Sequence, residues 1–265
     1  MTGVERIAAA FASARADGRR AALMPYLMGG FPDLACSREI GLAYAEAGAD
    51  LVELGVPFSD PLADGPVIHA AGTAALRAGV RLDHVLQIGR EIADAVPVVL
   101  MCYSNLIYTR GLERFLDALL EAGASGLIVP DLPFEEAPAV LAACDERGLA
   151  LVPLVAPTTP EARLAQIGAR ARGFLYTVSL TGTTGERDSV ADGLAAVLDR
   201  AAGSTEVPVA VGFGISTPQQ AAAAAEAGAD GVIVGTRLVR AAAEAEDPPA
   251  AVAELVRSLA SALAR

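Results

Sequence analysis

The feature that most constrains the fold is a regular alternation of short apolar segments with longer mixed stretches along all 265 residues. The segment 97–103, which reads PVVLMCY, is a representative apolar run. Runs without alternating polar residues are typical of strands buried on both faces, and such strands form parallel sheets covered by helices. Eight strands are predicted in this way, at residues 22–29, 50–56, 97–103, 126–132, 149–156, 173–180, 207–214 and 231–236.

The stretches between these segments show helical spacing. Segment 4–14 places Ile7, Ala8 and Phe11 on one face, and segment 111–122 groups its leucines with a phenylalanine in the same way. Spacing of three and four residues is typical of helices that bury one face against a core. The sequence therefore predicts alternating strands and helices, preceded by one additional helix.

A short motif recurs where helices lead into strands. It reads EAGAD at 46–50, EAGAS at 121–125 and EAGAD at 226–230. Glycine favours the conformation that ends a helix, so the recurrence indicates one structural unit used repeatedly. Eight alternations without a linker-like stretch predict a single domain over residues 1–265, a (β/α)8 TIM barrel of the α/β class. The helix at 4–14 would cover the bottom of the barrel, and a doubly wound open sheet is the alternative.

The charges and the chemistry-bearing residues exclude several functions. The chain has 32 acidic and 20 basic residues, a net charge of −12, which is the wrong sign for a nucleic-acid surface. All 20 basic residues are arginines. The lack of lysine excludes a Schiff-base aldolase, an internal pyridoxal-phosphate aldimine and a P-loop. With only two histidines, no metal site is expected.

The same composition predicts a cytoplasmic protein. The apolar runs are shorter than the roughly 18–20 residues that a membrane span needs, and residues 1–15 carry Glu and Arg, unlike a signal peptide. The three cysteines, Cys36, Cys102 and Cys144, are widely spaced, as is usual for reduced thiols.

Carboxylates interrupt the apolar pattern at the second predicted strand and in the loop that follows it. Glu53 lies inside an otherwise apolar segment, where burial would raise its pKa toward the range of a general acid or base. Asp60 and Asp64 follow in a proline-rich loop at the same end of the barrel. Either aspartate could pair with Glu53 in proton transfer. A structural carboxylate at Glu53, and turn-forming roles for Asp60 and Asp64, are the alternatives.

Glycine-rich elements near the end of the chain predict a phosphate site. Residues 181–188 read as a lid, Gly212 to Gly214 end the seventh strand, and Gly235 with Thr236 end the eighth. In TIM barrels the loops after these two strands, together with a helix N-terminus, bind phosphate through backbone N–H groups. Tyr103, Asn105, Asp131 and Tyr176 are further candidates to line the pocket, although Asp131 could equally anchor a loop.

At these positions the chain resembles the tryptophan synthase alpha chain family. Residues 51–66 read LVELGVPFSDPLADGP, which is similar to the signature of that family. The resemblance continues through MPY at 24–26, PDLP at 130–133, the segment 179–185 and GFGIS at 212–216. It extends over essentially the whole chain.

The resemblance implies retro-aldol cleavage of indole-3-glycerol phosphate to indole and glyceraldehyde 3-phosphate, with no cofactor in this chain. Glu53 would act as the acid and base at indole C3 and the leaving hydroxyl, and Asp64 would hold the indole N–H. The other site residues implied are Tyr176, Phe213 and Ile68 around the indole, and Thr184, Gly185, Gly214, Gly235 and Thr236 at the phosphate.

The resemblance also implies a partner. Members of this family dock on a tryptophan synthase beta chain that carries pyridoxal phosphate and receives indole through an internal tunnel, so an α2β2 heterotetramer is expected. Asp60 resembles the family's loop residue that communicates with the beta chain.

Two other functions fit parts of the pattern. A phosphosugar isomerase or epimerase would explain the phosphate loops and the carboxylates, but not the sequence of residues 57–66. A non-catalytic barrel that only activates a beta-type partner would have no need of a buried acid at position 53.

Overall fold

The computed structural model describes residues 1–178, 187–212 and 214–264, with the side chains of all of these except residues 187–192. Its strands are β1 (Ala22–Met28), β2 (Val52–Gly55), β3 (Val98–Met101), β4 (Gly126–Ile128), β5 (Ala150–Val152), β6 (Leu154–Val155), β7 (Leu175–Val178), β8 (Val209–Gly212) and β9 (Gly231–Val234). Its helices are α1 (Gly3–Ala16), α2 (Leu34–Glu46), α3 (Pro66–Arg77), α4 (Leu82–Ala93), α5 (Ser104–Arg110), α6 (Leu112–Glu121), α7 (Ala137–Glu146), α8 (Glu161–Ala169), α9 (Arg187–Ala202), α10 (Pro218–Glu226), α11 (Thr236–Glu244) and α12 (Pro248–Ala262).

All strand pairs are parallel, and the order in the sheet is β5-β4-β3-β2-β1-β9-β8-β7-β6. The two ends of this order, β5 and β6, are consecutive in the chain and are separated only by Pro153. The sheet therefore closes into a barrel, and the open-sheet alternative is wrong.

The predicted strand at 149–156 is divided in two by Pro153. Residues 150–152 pair with β4, and residues 154–155 pair with β7. Proline has no N–H to donate to a strand ladder, but its carbonyl still accepts a hydrogen bond from Tyr176 N at 3.0 Å. The barrel thus has the eight predicted strand positions, one of which changes its partner at a proline.

The inner and outer faces of the barrel follow from side-chain alternation along each strand. In β1, Met24 and Tyr26 belong to the inner cluster of buried side chains, whereas Leu23 and Leu27 belong to the outer cluster beneath the helices. In β2, the buried Glu53 lies between Val52 and Leu54, which both belong to the outer cluster. Glu53 consequently points into the barrel.

Helix α1 covers the bottom of the barrel, as predicted. Its buried residues Ile7 and Phe11 belong to the inner cluster, and the ring of Phe11 lies 6.0 Å from that of Phe174, just before β7. Val4 N donates to Gly148 O, just before β5. These contacts seal the end of the barrel opposite the strand C-termini.

The recurring motif ties adjacent strands together at this lower end. In its first copy Asp50 N donates to Leu23 O, while Asp50 Oδ2 accepts from Leu23 N at 2.7 Å. In its third copy Asp230 makes the same pair of bonds with Val209. Gly48, which ends α2, has φ +103°, a conformation that strongly favours glycine. The repeat therefore ends a helix and then hydrogen-bonds the start of one strand to the neighbouring strand.

No helix in the described part of the chain combines the length and the apolar composition that crossing a membrane requires.

Candidate active site

A cavity of about 290 Å³ opens at the C-terminal ends of the strands. Its wall brings together seven predicted site residues, namely Glu53, Asp64, Ile68, Tyr176, Gly214, Gly235 and Thr236. The wall also contains Tyr26, Ala63, Gly65, Met101, Ile215, Ser216, Ile233, Arg237 and Arg240. Phe213, Thr184 and Gly185 lie outside the described residues.

Glu53 is the buried carboxyl of this cavity. Its neighbours in register are Tyr26 on β1 and Val99 on β3, and only 2% of its surface is exposed. Burial, and secondarily the charge of Asp64, raise the pKa of Glu53 to about 8. Within the described chain, its Oε2 atom has no hydrogen-bond partner. A buried, unsatisfied carboxyl facing a cavity is available to a ligand.

The carboxylate of Asp64 is held in place by Tyr103. Tyr103 donates its hydroxyl hydrogen to Asp64 Oδ1 at 3.1 Å, and the same hydroxyl accepts from Ala63 N at 3.0 Å. The ring of Phe58 stacks on Tyr103 with centroids 5.0 Å apart. Partial burial raises the pKa of Asp64 above its usual value, although the bond from Tyr103 opposes this. Tyr103 therefore orients Asp64 and does not itself line the cavity.

Two tyrosines flank Glu53 on the inner face of the barrel. Tyr26 and Tyr176 are both buried, and burial, followed by the nearby carboxylate charges, raises the pKa of both phenols well above 10. A Cβ atom on Gly55 would lie 2.0 Å from the Tyr26 hydroxyl, and one on Gly212 would lie 2.4 Å from that of Tyr176. Each phenol thus stays protonated and occupies a space that a glycine leaves open.

The opposite side of the cavity is formed by the loops after β8 and β9. At α10 the N-terminal groups are already used, because Gln220 Oε1 accepts from Ser216 N at 2.9 Å and from Thr217 N at 3.1 Å. At α11 the N-cap residue Gly235 offers no side-chain bond, and the first turn has no acidic residue. The first N–H groups of α11 are therefore available to an anion, as the first groups of an uncapped helix are.

The loop after β4 has a structural role. Asp131 accepts hydrogen bonds from Ser104 N and Ser104 Oγ, both at 2.8 Å, at the start of α5. The structure thus favours the interpretation of Asp131 as a loop anchor. Asn105 and Asp60 lie outside the cavity wall, and Asp60 accepts a hydrogen bond from the hydroxyl of its neighbour Ser59.

Of the nine cavity residues that were not predicted as site residues, three have ionisable side chains, namely Tyr26, Arg237 and Arg240. Tyr26 follows from the alternation along β1, where it shares the inner face with Met24. Arg237 and Arg240 are three residues apart at the start of α11, directly after the predicted phosphate residue Thr236. Helical spacing places residues three apart on one face, so the spacing of these two arginines after Thr236 is the sequence signal that indicates them.

Residues 11–264 match the family model described as the tryptophan synthase alpha chain. The chain belongs to the tryptophan synthase alpha chain family. The tryptophan synthase alpha chain of Prochlorococcus marinus (strain MIT 9313) is 49% identical over 236 residues, which cover 88% of this chain and 86% of that protein. That of Methanosarcina mazei is 46% identical over 245 residues, which cover 92% of this chain and 90% of that protein.

Solved structures agree with this assignment. Tryptophan synthase from M. tuberculosis, in its aminoacrylate- and BRD0059-bound form, superposes with a TM-score of 0.89 and 38% identity over 98% of both chains. The tryptophan synthase a2b2 complex from Pyrococcus furiosus gives a TM-score of 0.84 and 36% identity over 91% of this chain and 98% of that one. The predicted barrel and the family resemblance are both confirmed, and a tryptophan synthase alpha chain is a lyase.

Proposed function

We propose that this chain cleaves indole-3-glycerol phosphate into indole and glyceraldehyde 3-phosphate, as the alpha subunit of tryptophan synthase, and passes the indole to a beta subunit. The observation that carries the proposal is the buried carboxyl of Glu53, whose Oε2 atom has no hydrogen-bond partner among the described residues, in one cavity with Asp64 and the uncapped end of α11. This arrangement offers a proton donor, an acceptor for an N–H group and an anion site to one substrate.

Glu53 supplies the proton transfer in this proposal. With a pKa of about 8 it is mostly protonated at pH 7 and can deliver its proton to indole C3. The resulting carboxylate then takes the proton of the side-chain hydroxyl as the carbon–carbon bond breaks. The bonding electrons return to the indole ring, the hydroxyl carbon becomes the aldehyde, and Glu53 ends protonated again.

Asp64 and the two tyrosines support this step. Protonation at C3 makes the indole nitrogen positive, and a carboxylate that accepts its N–H stabilises that charge. Tyr103 keeps the Asp64 carboxylate oriented toward the cavity. Tyr26, Tyr176 and Ile68 form the wall around the ring in this proposal, and Phe213 is assigned a role in binding the indole.

The phosphate group is assigned to the backbone N–H groups of Gly214, Gly235 and Thr236, joined by Thr184 and Gly185. Asp60, exposed on the loop between β2 and α3, is assigned to communication with the beta subunit. Pyridoxal phosphate would belong to that subunit, because an internal aldimine needs a lysine and this chain has none.

The test is indole release from indole-3-glycerol phosphate by the purified chain, with and without a tryptophan synthase beta chain. We expect slow release by the chain alone and a large increase when the beta chain is added. A folded chain that releases no indole under either condition would contradict the proposal.

A further inference from the structure

Two arginines lie at the phosphate end of the cavity, at the start of α11. Arg237 is partly buried and Arg240 is exposed, and both residues line the cavity wall. Among the residues that the structure describes, no other basic side chain is part of that wall. The backbone N–H groups of α11 that point to the same end carry only a partial positive charge, so these guanidinium groups are the main source of positive charge there within the described part of the chain.

Neither arginine is engaged elsewhere in the described chain. Most described arginines meet a carboxylate or a backbone carbonyl: Arg19 pairs with Asp50, for example, and Arg200 donates to Thr159 O at 2.7 Å. No ion pair and no side-chain hydrogen bond of Arg237 or Arg240 occurs among the described residues. The chain has 32 acidic side chains, yet none of the described ones pairs with these two arginines. Their positive charge is therefore available to a ligand in the cavity.

The negative charge in the cavity explains why an anionic ligand needs the two arginines. Asp64 lies on the same wall, and a phosphate monoester adds close to two further negative charges at neutral pH. Backbone N–H groups alone would have to overcome this repulsion. A guanidinium group neutralises phosphate charge and can donate two parallel hydrogen bonds to its oxygens.

We propose that Arg237, assisted by Arg240, binds the phosphate group of the substrate and makes the site selective for phosphorylated over unphosphorylated indole glycerol. This inference rests on the proposed function for the identity of the substrate. Arg237 contributes both its backbone N–H, in the first turn of α11, and its guanidinium group. Arg240, one turn further along the same face, contributes long-range attraction.

The first measurement is the kinetics of indole release by the Arg237→Ala variant. We expect KM for indole-3-glycerol phosphate to rise about 10- to 100-fold with kcat changed less than about threefold, because the lost contact is made equally before and during the reaction. Activity on unphosphorylated indole glycerol should not change. Arg240→Ala should raise KM less, by about threefold, and Arg237→Lys should recover part of the loss.

The matched control is Arg257→Ala, which removes an exposed arginine of α12 that is not part of the cavity wall. It should leave KM unchanged. Equal KM values for wild type and Arg237→Ala, or an equal loss on the phosphorylated and unphosphorylated substrates, would overturn the inference.

Calorimetric binding of glycerol 3-phosphate to the same variants separates this inference from the proposed function. If wild type releases no indole but its binding of glycerol 3-phosphate depends on Arg237, the proposed function fails and the arginine assignment stands. If wild type cleaves the substrate and Arg237→Ala binds glycerol 3-phosphate as tightly as wild type, the arginine assignment fails alone.

Discussion

The two carboxylates of the cavity are placed by different means. Glu53 lies within β2, where alternation and the parallel neighbours β1 and β3 determine its direction and its burial. Asp64 lies in the loop before α3, where Tyr103, two residues after the end of β3, determines its direction. A carboxyl on a strand is thus positioned by the sheet itself, whereas one on a loop depends on a distant side chain.

The largest expected effect is that of Glu53→Gln. The substitution keeps the size of the side chain and removes its acidic proton, so we expect kcat to fall about 10³-fold or more with KM changed little. Steady-state indole release checks this, with the exposed Glu254→Gln on α12 as control. A variant with more than a tenth of wild-type kcat would remove Glu53 from proton transfer.

Asp64→Asn should have the next largest effect. The amide can still accept a hydrogen bond but carries no charge to stabilise the cationic indole, so kcat should fall about 10²-fold. Asp199→Asn, an exposed site on α9, is the matched control. Wild-type turnover in Asp64→Asn would assign the indole N–H to another acceptor.

The pH profile should separate the two carboxylates in one experiment. Because the proton donor is the acid form of Glu53, kcat/KM should fall as pH rises through about 8, about tenfold by pH 9. The acid limb should reflect Asp64, whose activity needs the charged form and whose pKa is raised. Residual activity of Glu53→Gln should lack the alkaline limb. If the variant kept that limb, another group would be titrating.

Tyr103→Phe should have the smallest effect. It removes the donor to Asp64 and the acceptor for Ala63 N, but leaves the stacking on Phe58. We expect kcat to fall about three- to tenfold, since the loop loses orientation while the charge of Asp64 remains. Tyr108→Phe, at an exposed tyrosine of α5, serves as the control. An effect as large as that of Asp64→Asn would give Tyr103 a direct role in the reaction.

The distinction between a residue positioned by its own strand and one positioned by a distant side chain also explains how much of the site the sequence predicts. Periodicity and the recurring motif predict the barrel, and the position of Glu53 inside the otherwise apolar segment 50–56 predicts a buried carboxyl. Both are patterns of residues close together in the sequence. The bond from Tyr103 to Asp64 was not predicted, since it joins residues 39 apart. The strand at 149–156 pairs with β4 before Pro153 and with β7 after it. This division depends on where those two neighbouring strands end, and the sequence around Pro153 does not indicate it.

Arg237 and Arg240 are an intermediate case. Their spacing is local, but arginines three apart on a helix are more often solvated than functional. Only the barrel, by placing the start of α11 at the cavity, distinguishes them from other surface arginines.

The glycines that accommodate the two phenols have a consequence for how this sequence can change. A methyl group at position 55 would collide with Tyr26, and one at position 212 would collide with Tyr176. A side chain at either glycine therefore requires the neighbouring tyrosine to move or to be replaced by a smaller residue. We therefore expect each glycine and its tyrosine to diverge as a pair, with a smaller residue replacing the tyrosine before a side chain is added at the glycine.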